Sequence, residues 1–198
     1  MENFDIIVMI KMMIIGLVQG VTEPIPVSSS GHVMIVSNIL GMGEQGFTFA
    51  ILTNTASLVA VLIIYRKDII RLIVNSIQFI KTKEQRFHSD FKFSMFIIIG
   101  SIPAGILGVL LNDVIADSTS MTTIAITLFI TGIALWLIRN LRGTKSDKDL
   151  TGKDAILVGL GQAVALTPGI SRSGATIISA LAVGMNQETA LRFSFMLY

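Results

Sequence analysis

Three ionisable side chains, Glu23, His32 and Arg172, interrupt apolar stretches of the sequence. Groups of this kind are costly at membrane depth and mark a functional site by default. Glu23 can act as a base or hold a cation. His32 can move a proton or attack an electrophile. Arg172 presents a planar fork that matches phosphate oxygens. Hydroxyls crowd around them: Ser28, Ser29 and Ser30 in one stretch, Ser171, Ser173 and Thr176 in the other. Each stretch precedes a short apolar run that should begin a helix near Gly31 or Gly174. Free N–H groups and the positive dipole end make such a terminus an anion site. The combination describes a pocket for a phosphate or diphosphate, with an apolar lipid tail as its natural companion. A hydroxyl activated by a neighbouring base could be the nucleophile, or His32 could be the acid or itself the nucleophile. The plainer alternatives are serine caps on helices and a structural Glu23–Arg172 ion pair. That both stretches carry the same polar set weighs against them.

The surroundings of these residues are those of a membrane protein. Of 198 residues, 52% are hydrophobic and 14% charged, with no cysteine, and the mean hydropathy is +0.75. Soluble domains carry about 25% charge. The lack of cysteine excludes disulfides, thiolate metal sites and a cysteine nucleophile. Residues 47–65, 91–111 and 121–138 each approach the roughly 20 apolar residues of a span. Pro103 should kink the second, and Ala104 with Gly108 suits close helix packing. Trp136 suits an interfacial anchor at the end of the third. Seven of the 15 Lys and Arg fall in 66–92 and five in 139–153. This clustering reads as two cytoplasmic loops, so the pI of 9.0 does not imply a nucleic-acid partner. His88 falls in the first loop and reads as solvated. Lys11 reads as snorkelling to the interface.

Two apolar regions, 5–41 and 154–185, are broken by the polar stretches. Displaced by 143 residues, 16–42 falls on 159–185 with ten of 27 positions identical, Ser28/Ser171, Ser30/Ser173 and Gly31/Gly174 among them. The regions therefore read as copies of one element. Three spans separate them. If each copy is a re-entrant hairpin, an odd number of spans sets them on opposite faces with their tips meeting near the midplane. The expected fold is an all-α polytopic membrane protein built as an inverted repeat. Residues 1–143 form the first repeat, with hairpin 5–41 and the three spans. Residues 144–198 begin the second, with hairpin 154–185. The N-terminus and the loops 42–46 and 112–120 then lie outside. By repeat symmetry the second unit wants roughly 70–80 further residues, so the chain reads as C-terminally truncated.

The segments QGVTEPIPVSSSGH (19–32) and LTPGISRSGAT (166–176) resemble the two signature motifs of the undecaprenyl-diphosphate phosphatases, the bacitracin-resistance proteins. The resemblance implies a multi-pass enzyme of the bacterial cytoplasmic membrane whose site faces the outer side. Such an enzyme hydrolyses undecaprenyl diphosphate to the monophosphate, recycling the carrier for peptidoglycan synthesis. Bacitracin competes for the same lipid. It also implies a divalent cation, Mg²⁺ or Ca²⁺, held by Glu23 with help from Gln19, where many members have Glu. Glu23, Ser29, His32 and Arg172 match the catalytic positions. Ser28, Ser30, Gly31, Ser171, Ser173, Gly174 and Thr176 match supporting ones that bind substrate. Ser29, His32 or water remain open as nucleophile. Type 2 phosphatidic acid phosphatases match poorly, since they need a second histidine and a downstream aspartate. The alternative function is a lipid-phosphate flippase or transporter on the same inverted repeat. A homodimer is one assembly open to such a chain.

Overall fold

The two polar stretches end one helix and begin another, as their proline, glycine and serine content dictates. In the computed structural model, which describes residues 6–111 and 120–197 and, of those, the side chains of all but 44–48, 50 and 51, α1 (Ile6–Thr22) stops before Glu23-Pro24-Ile25-Pro26. Proline lacks the N–H a helix needs and disfavours helical geometry in the residue before it. The chain restarts as α2 (Ser29–Ile39), whose N-cap Ser28 accepts from Gly31 N. Then follow α3 (Gly43–Ile64) and α4 (Arg66–Thr82), which share Tyr65 as their junction. A single 3₁₀ turn (Gln85–Phe87) leads into α5 (His88–Leu110), and α6 is Met121–Ile138. α7 (Gly152–Val164) opens with a capping box of Thr151 and Asp154. It ends before Thr167-Pro168-Gly169, and α8 (Arg172–Ala182) restarts behind N-cap Ser171. α9 is Gln187–Met196.

Two helical stretches, Gln85–Leu110 and Met121–Ile138, are long and apolar enough to cross a bilayer. They coincide with the spans expected at 91–111 and 121–138. α5 runs unbroken through Pro103. α3 covers 47–64 of the expected span 47–65, and its described apolar run is the shorter Leu52–Ile64. The expected outer loop 112–120 lies, apart from Ser120, outside the described residues. At the end of α6, Trp136 is exposed and the Arg139 guanidinium lies 4.1 Å from its ring centroid.

The basic stretch 66–92, expected as a loop, is largely helical. Its charges sit at the two ends of α4, with Asp68 in the first turn and Lys81 in the last, each favourable to the helix dipole. Between them, apolar residues recur at helical spacing. Leu72 is buried against α5, and Ile70, Ile73, Val74, Ile77 and Ile80 form an outward stripe. Asn75 donates to Asp90 (2.6 Å), and Phe79 stacks on Phe91 at 4.8 Å. His88 lies against Phe79 (5.3 Å between centroids).

Two apolar clusters hold the fold. Ile15, Val33 and Met42 join α1, α2 and the start of α3. A larger cluster built on Phe93, Leu150, Val158, Ala180 and Phe193 joins α4, α5, α7, α8 and α9. α5 crosses α7 closely: a Cβ at Gly159 would lie 2.1 Å from the Gly100 carbonyl oxygen. Small residues thus bring these helices together, with Gly100 joining the Ala104/Gly108 face expected from the sequence. α6 contacts α2 and α8, and so backs both polar stretches.

Candidate active site

The two polar stretches meet. They line one small polar pocket of about 60 Å³, walled by Glu23, Ser28, Ser29 and Ser30 from the first and Ile170, Ser171, Arg172 and Ser173 from the second, with Asn54 and Ala165 closing it. The stretches also touch directly: a Cβ at Gly174 would stand 3.0 Å from the Pro26 carbonyl oxygen. Behind them, Thr127 of α6 donates to the Pro168 carbonyl (2.9 Å), and Leu128 packs against Gly31.

The serine caps are built alike. Ser28 accepts from Gly31 N at 3.3 Å and Ser171 from Gly174 N at 3.0 Å. Ser28 Oγ lies 3.4 Å from Ser30 Oγ, and Ser171 Oγ lies 3.4 Å from Ser173 Oγ. Two helix N-termini therefore open on one pocket, each bringing unpaired N–H groups to it. Arg172 is exposed at the start of α8.

Glu23 collects two hydrogen bonds at the first stretch. Ser29 Oγ donates to Glu23 Oε2 at 2.5 Å, and Gln19 Nε2 donates to the same oxygen at 2.5 Å. Gln19 is buried, one helical turn before Glu23, and also lies 3.4 Å from Ser57 Oγ of α3. Glu23 Oε1 carries neither of those two hydrogen bonds. This is the arrangement expected of a hydroxyl with an adjacent base.

Besides Gln19, four expected site residues stand back from the pocket. His32 lies one turn into α2, its Nδ1–H donating to the Ser28 carbonyl at 2.9 Å. That bond leaves Nε2 as the basic nitrogen when the ring is neutral. Thr176 is buried, donates to the Arg172 and Ser173 carbonyls, and pairs with Ser194 of α9. Gly31 and Gly174 lie behind their stretches, where side chains would meet neighbours. Asn54 was not legible as a site residue, because it sits within a span-like apolar helix. A polar Asn at mid-span was the available signal.

Among the described residues no three His, Cys, Asp or Glu side chains gather to form a metal cage. The donors present are hard oxygens, with Glu23 the carboxylate of the pocket. That set suits Mg²⁺ or Ca²⁺ bridged to substrate phosphates rather than a dedicated protein site.

Among the described residues, two apolar helices are long enough to cross a bilayer, and two helix N-termini wall one polar pocket. The chain belongs to the bacitracin resistance protein BacA family, whose model matches residues 12–198. It is 52% identical over 198 residues to undecaprenyl-diphosphatase 1 of Bacillus licheniformis, covering 98% of this chain and 73% of that protein. The undecaprenyl-diphosphatase of Oceanobacillus iheyensis is 54% identical over 200 residues, covering 100% of this chain and 72% of its own. Undecaprenyl-diphosphatase 1 of Halalkalibacterium halodurans is 48% identical over 191 residues, 96% of this chain and 70% of that one.

Proposed function

We propose that the chain is an undecaprenyl-diphosphate phosphatase, releasing phosphate to leave the monophosphate carrier and so opposing bacitracin, which takes the same lipid. The observation that carries the mechanism is Ser29 Oγ on Glu23 Oε2 at 2.5 Å, on the wall of a pocket shared with Arg172. Arg172 and the N–H groups of α2 and α8 hold the diphosphate and stabilise charge as it develops. Ser29 Oγ attacks the terminal phosphorus while Glu23 takes its proton. The bond from that phosphorus to the bridging oxygen breaks, and the carrier leaves as its monophosphate, taking up the proton that Glu23 accepted. Water, deprotonated by the freed Glu23 carboxylate, then cleaves the phosphoserine, and Glu23 returns that proton to Ser29 Oγ as phosphate leaves. A divalent cation would be held by Glu23 and the phosphate oxygens, with Gln19 beside it, and would supply charge neutralisation. His32, behind Ser28, is assigned to proton transfer through Nε2.

In this reading 5–41 and 154–185 are re-entrant hairpins of an inverted repeat in the cytoplasmic membrane, open to the outer side. The matching caps, the 143-residue displacement and the convergence of both tips on one pocket support it. A tag at the N-terminus should then be labelled on intact cells; labelling only after lysis overturns this topology.

The deciding experiment is phosphate release from undecaprenyl diphosphate by the purified protein in detergent, with and without EDTA, beside Ser29→Ala and His32→Ala. Cation-dependent release abolished by Ser29→Ala supports the mechanism. Full activity in Ser29→Ala, with loss in His32→Ala, moves the nucleophile to His32. Binding without release by folded protein points to lipid transport.

A further inference from the structure

Beyond the polar pocket lie two apolar chambers, of about 370 and 320 Å³. The first shares Glu23 and Ser173 with the polar pocket and is walled by Pro24, Val61, Ile64 and Phe195. The second lies between α3, α4 and α5, lined by Leu62, Ile69, Leu72 and Ile97. The chambers have Val61, Tyr65 and Phe195 in common. The rings of Tyr65 and Phe195 are stacked there, 5.6 Å between centroids, and both residues are half-buried.

The sizes divide the labour. The polar pocket suits a phosphate group and no tail. The first chamber, several times larger, is apolar and touches the base of the proposed reaction. From Ser57 to Tyr65 it follows α3 for about 12 Å, at 1.5 Å per residue. A tail leaving the head group along this path stays among apolar side chains, where its burial is favourable. Phe195 follows two residues that are tied to neighbouring elements. Ser194 pairs with Thr176, and Arg192 ion-pairs with Asp147 and Asp68 while its guanidinium lies 4.7 Å from the Phe93 ring centroid. An aromatic side chain so fixed can act as a boundary rather than a loose filler.

We propose that Tyr65 and Phe195 form a sill between the two chambers, across which the prenyl tail lies, and that this pair sets the preference for long-tailed over short-tailed diphosphates. The proposal rests on the phosphatase reading of the polar pocket and adds specificity residues to it. A tail of one isoprene unit ends within the first chamber; a polyprenyl tail must cross the sill.

The test compares kcat/KM for undecaprenyl diphosphate and for isopentenyl diphosphate on the same preparation, so that the active fraction cancels in the ratio. Tyr65→Ala and Phe195→Ala should each lower the long-to-short ratio about tenfold, as lost apolar contacts of this size do. Tyr65→Phe, which keeps the ring, should hold the wild-type ratio. Ratios within about twofold of wild type in both alanine variants overturn the sill, since discrimination by that contact would then be absent. If the wild-type protein releases phosphate from neither substrate, the phosphatase reading fails. The sill is then judged by the binding-affinity ratio for the same two diphosphates, with the same expected loss and the same overturning result.

Discussion

The two polar stretches share a cap and differ in the side chains they bring to the pocket. Both cap a helix with the first serine of Ser-x-Ser-Gly, and both aim that helix N-terminus at one pocket. They differ where the proposed chemistry needs them to. Under the 143-residue displacement Glu23 faces Leu166, Ser29 faces Arg172 and His32 faces Ala175. The first stretch holds base, hydroxyl and histidine; the second holds the cationic fork. The backbones differ too. Ser28 is left-handed (φ 67°), whereas its counterpart Ser171 is extended (φ −70°) and the second stretch takes its left-handed turn at Gly169 (φ 87°). A non-glycine residue in that region costs about 1–2 kcal/mol, and such strain gathers at functional sites. The strained copy is the one that carries the acid–hydroxyl pair.

That division is most directly broken at Glu23. Glu23→Gln keeps shape and hydrogen-bonding capacity but removes the base, and should lower kcat about 10³-fold, within the range for positioned general bases. A variant with near-normal kcat refutes the assignment of base to the first copy.

The two halves also differ in how they are packed, and matched glycines expose it. At Gly159 an added Cβ would lie 2.1 Å from the Gly100 carbonyl oxygen; at its counterpart Gly16 the nearest atom is a Phe49 ring carbon at 3.9 Å. Gly159→Ala should therefore separate α5 from α7 and cost about 3 kcal/mol, the upper range for overpacking. Gly16→Ala should leave the thermal transition unchanged or raise it slightly, since alanine is the better helix former by about 1 kcal/mol. Equal effects at the two positions would show that the halves pack alike.

Arg172→Lys sharpens the comparison from the other side. Lysine keeps the charge and loses the fork. Turnover should fall about 10²-fold, as when one oriented donor to a transition-state oxyanion is lost. Because the clamp also holds the ground state, KM should rise along with the fall in kcat. Unchanged kinetics would remove Arg172 from the site.

Much of this is legible in the sequence. The spans at 91–111 and 121–138 coincide with α5 and α6 because a run of apolar residues fixes both helix and boundary. The breaks at Pro24–Pro26 and Thr167–Gly169 were legible because proline and glycine act locally. What stayed hidden depends on partners distant in sequence. α4 looked like a basic loop because its charges outweighed its apolar period. Arg192 gave no sign of reaching Asp147 and Asp68, and Gly100 no sign of meeting Gly159. Asn54 joins the pocket only because α3 packs beside α1 and α2. That His32 rests on the Ser28 carbonyl rather than on the pocket wall follows from its place one turn into α2, which motif spacing alone does not convey.

The smallest expected effect tests whether the two caps are supported alike. At Gly31 an added Cβ would meet Leu128 Cδ2 at 3.0 Å and the cap oxygen of Ser28 at 3.1 Å. Leu128 is the end of a flexible side chain on α6 and can turn aside. At Gly174 the same atom would meet Ser171 Cβ at 2.8 Å and the Pro26 carbonyl oxygen at 3.0 Å. The carbonyl belongs to the backbone of the opposite stretch, so relief there requires the two tips to part. Gly174→Ala should cost about 2 kcal/mol and lower activity with it, while Gly31→Ala should cost under about 1 kcal/mol. Thermal transitions of the two variants in detergent, read beside phosphate release, separate the cases. A Gly31→Ala variant as damaged as Gly174→Ala would mean that α6 holds the first tip as rigidly as the first tip holds the second. The contact between the copies would then be no more demanding than the contact of either with its backing helix.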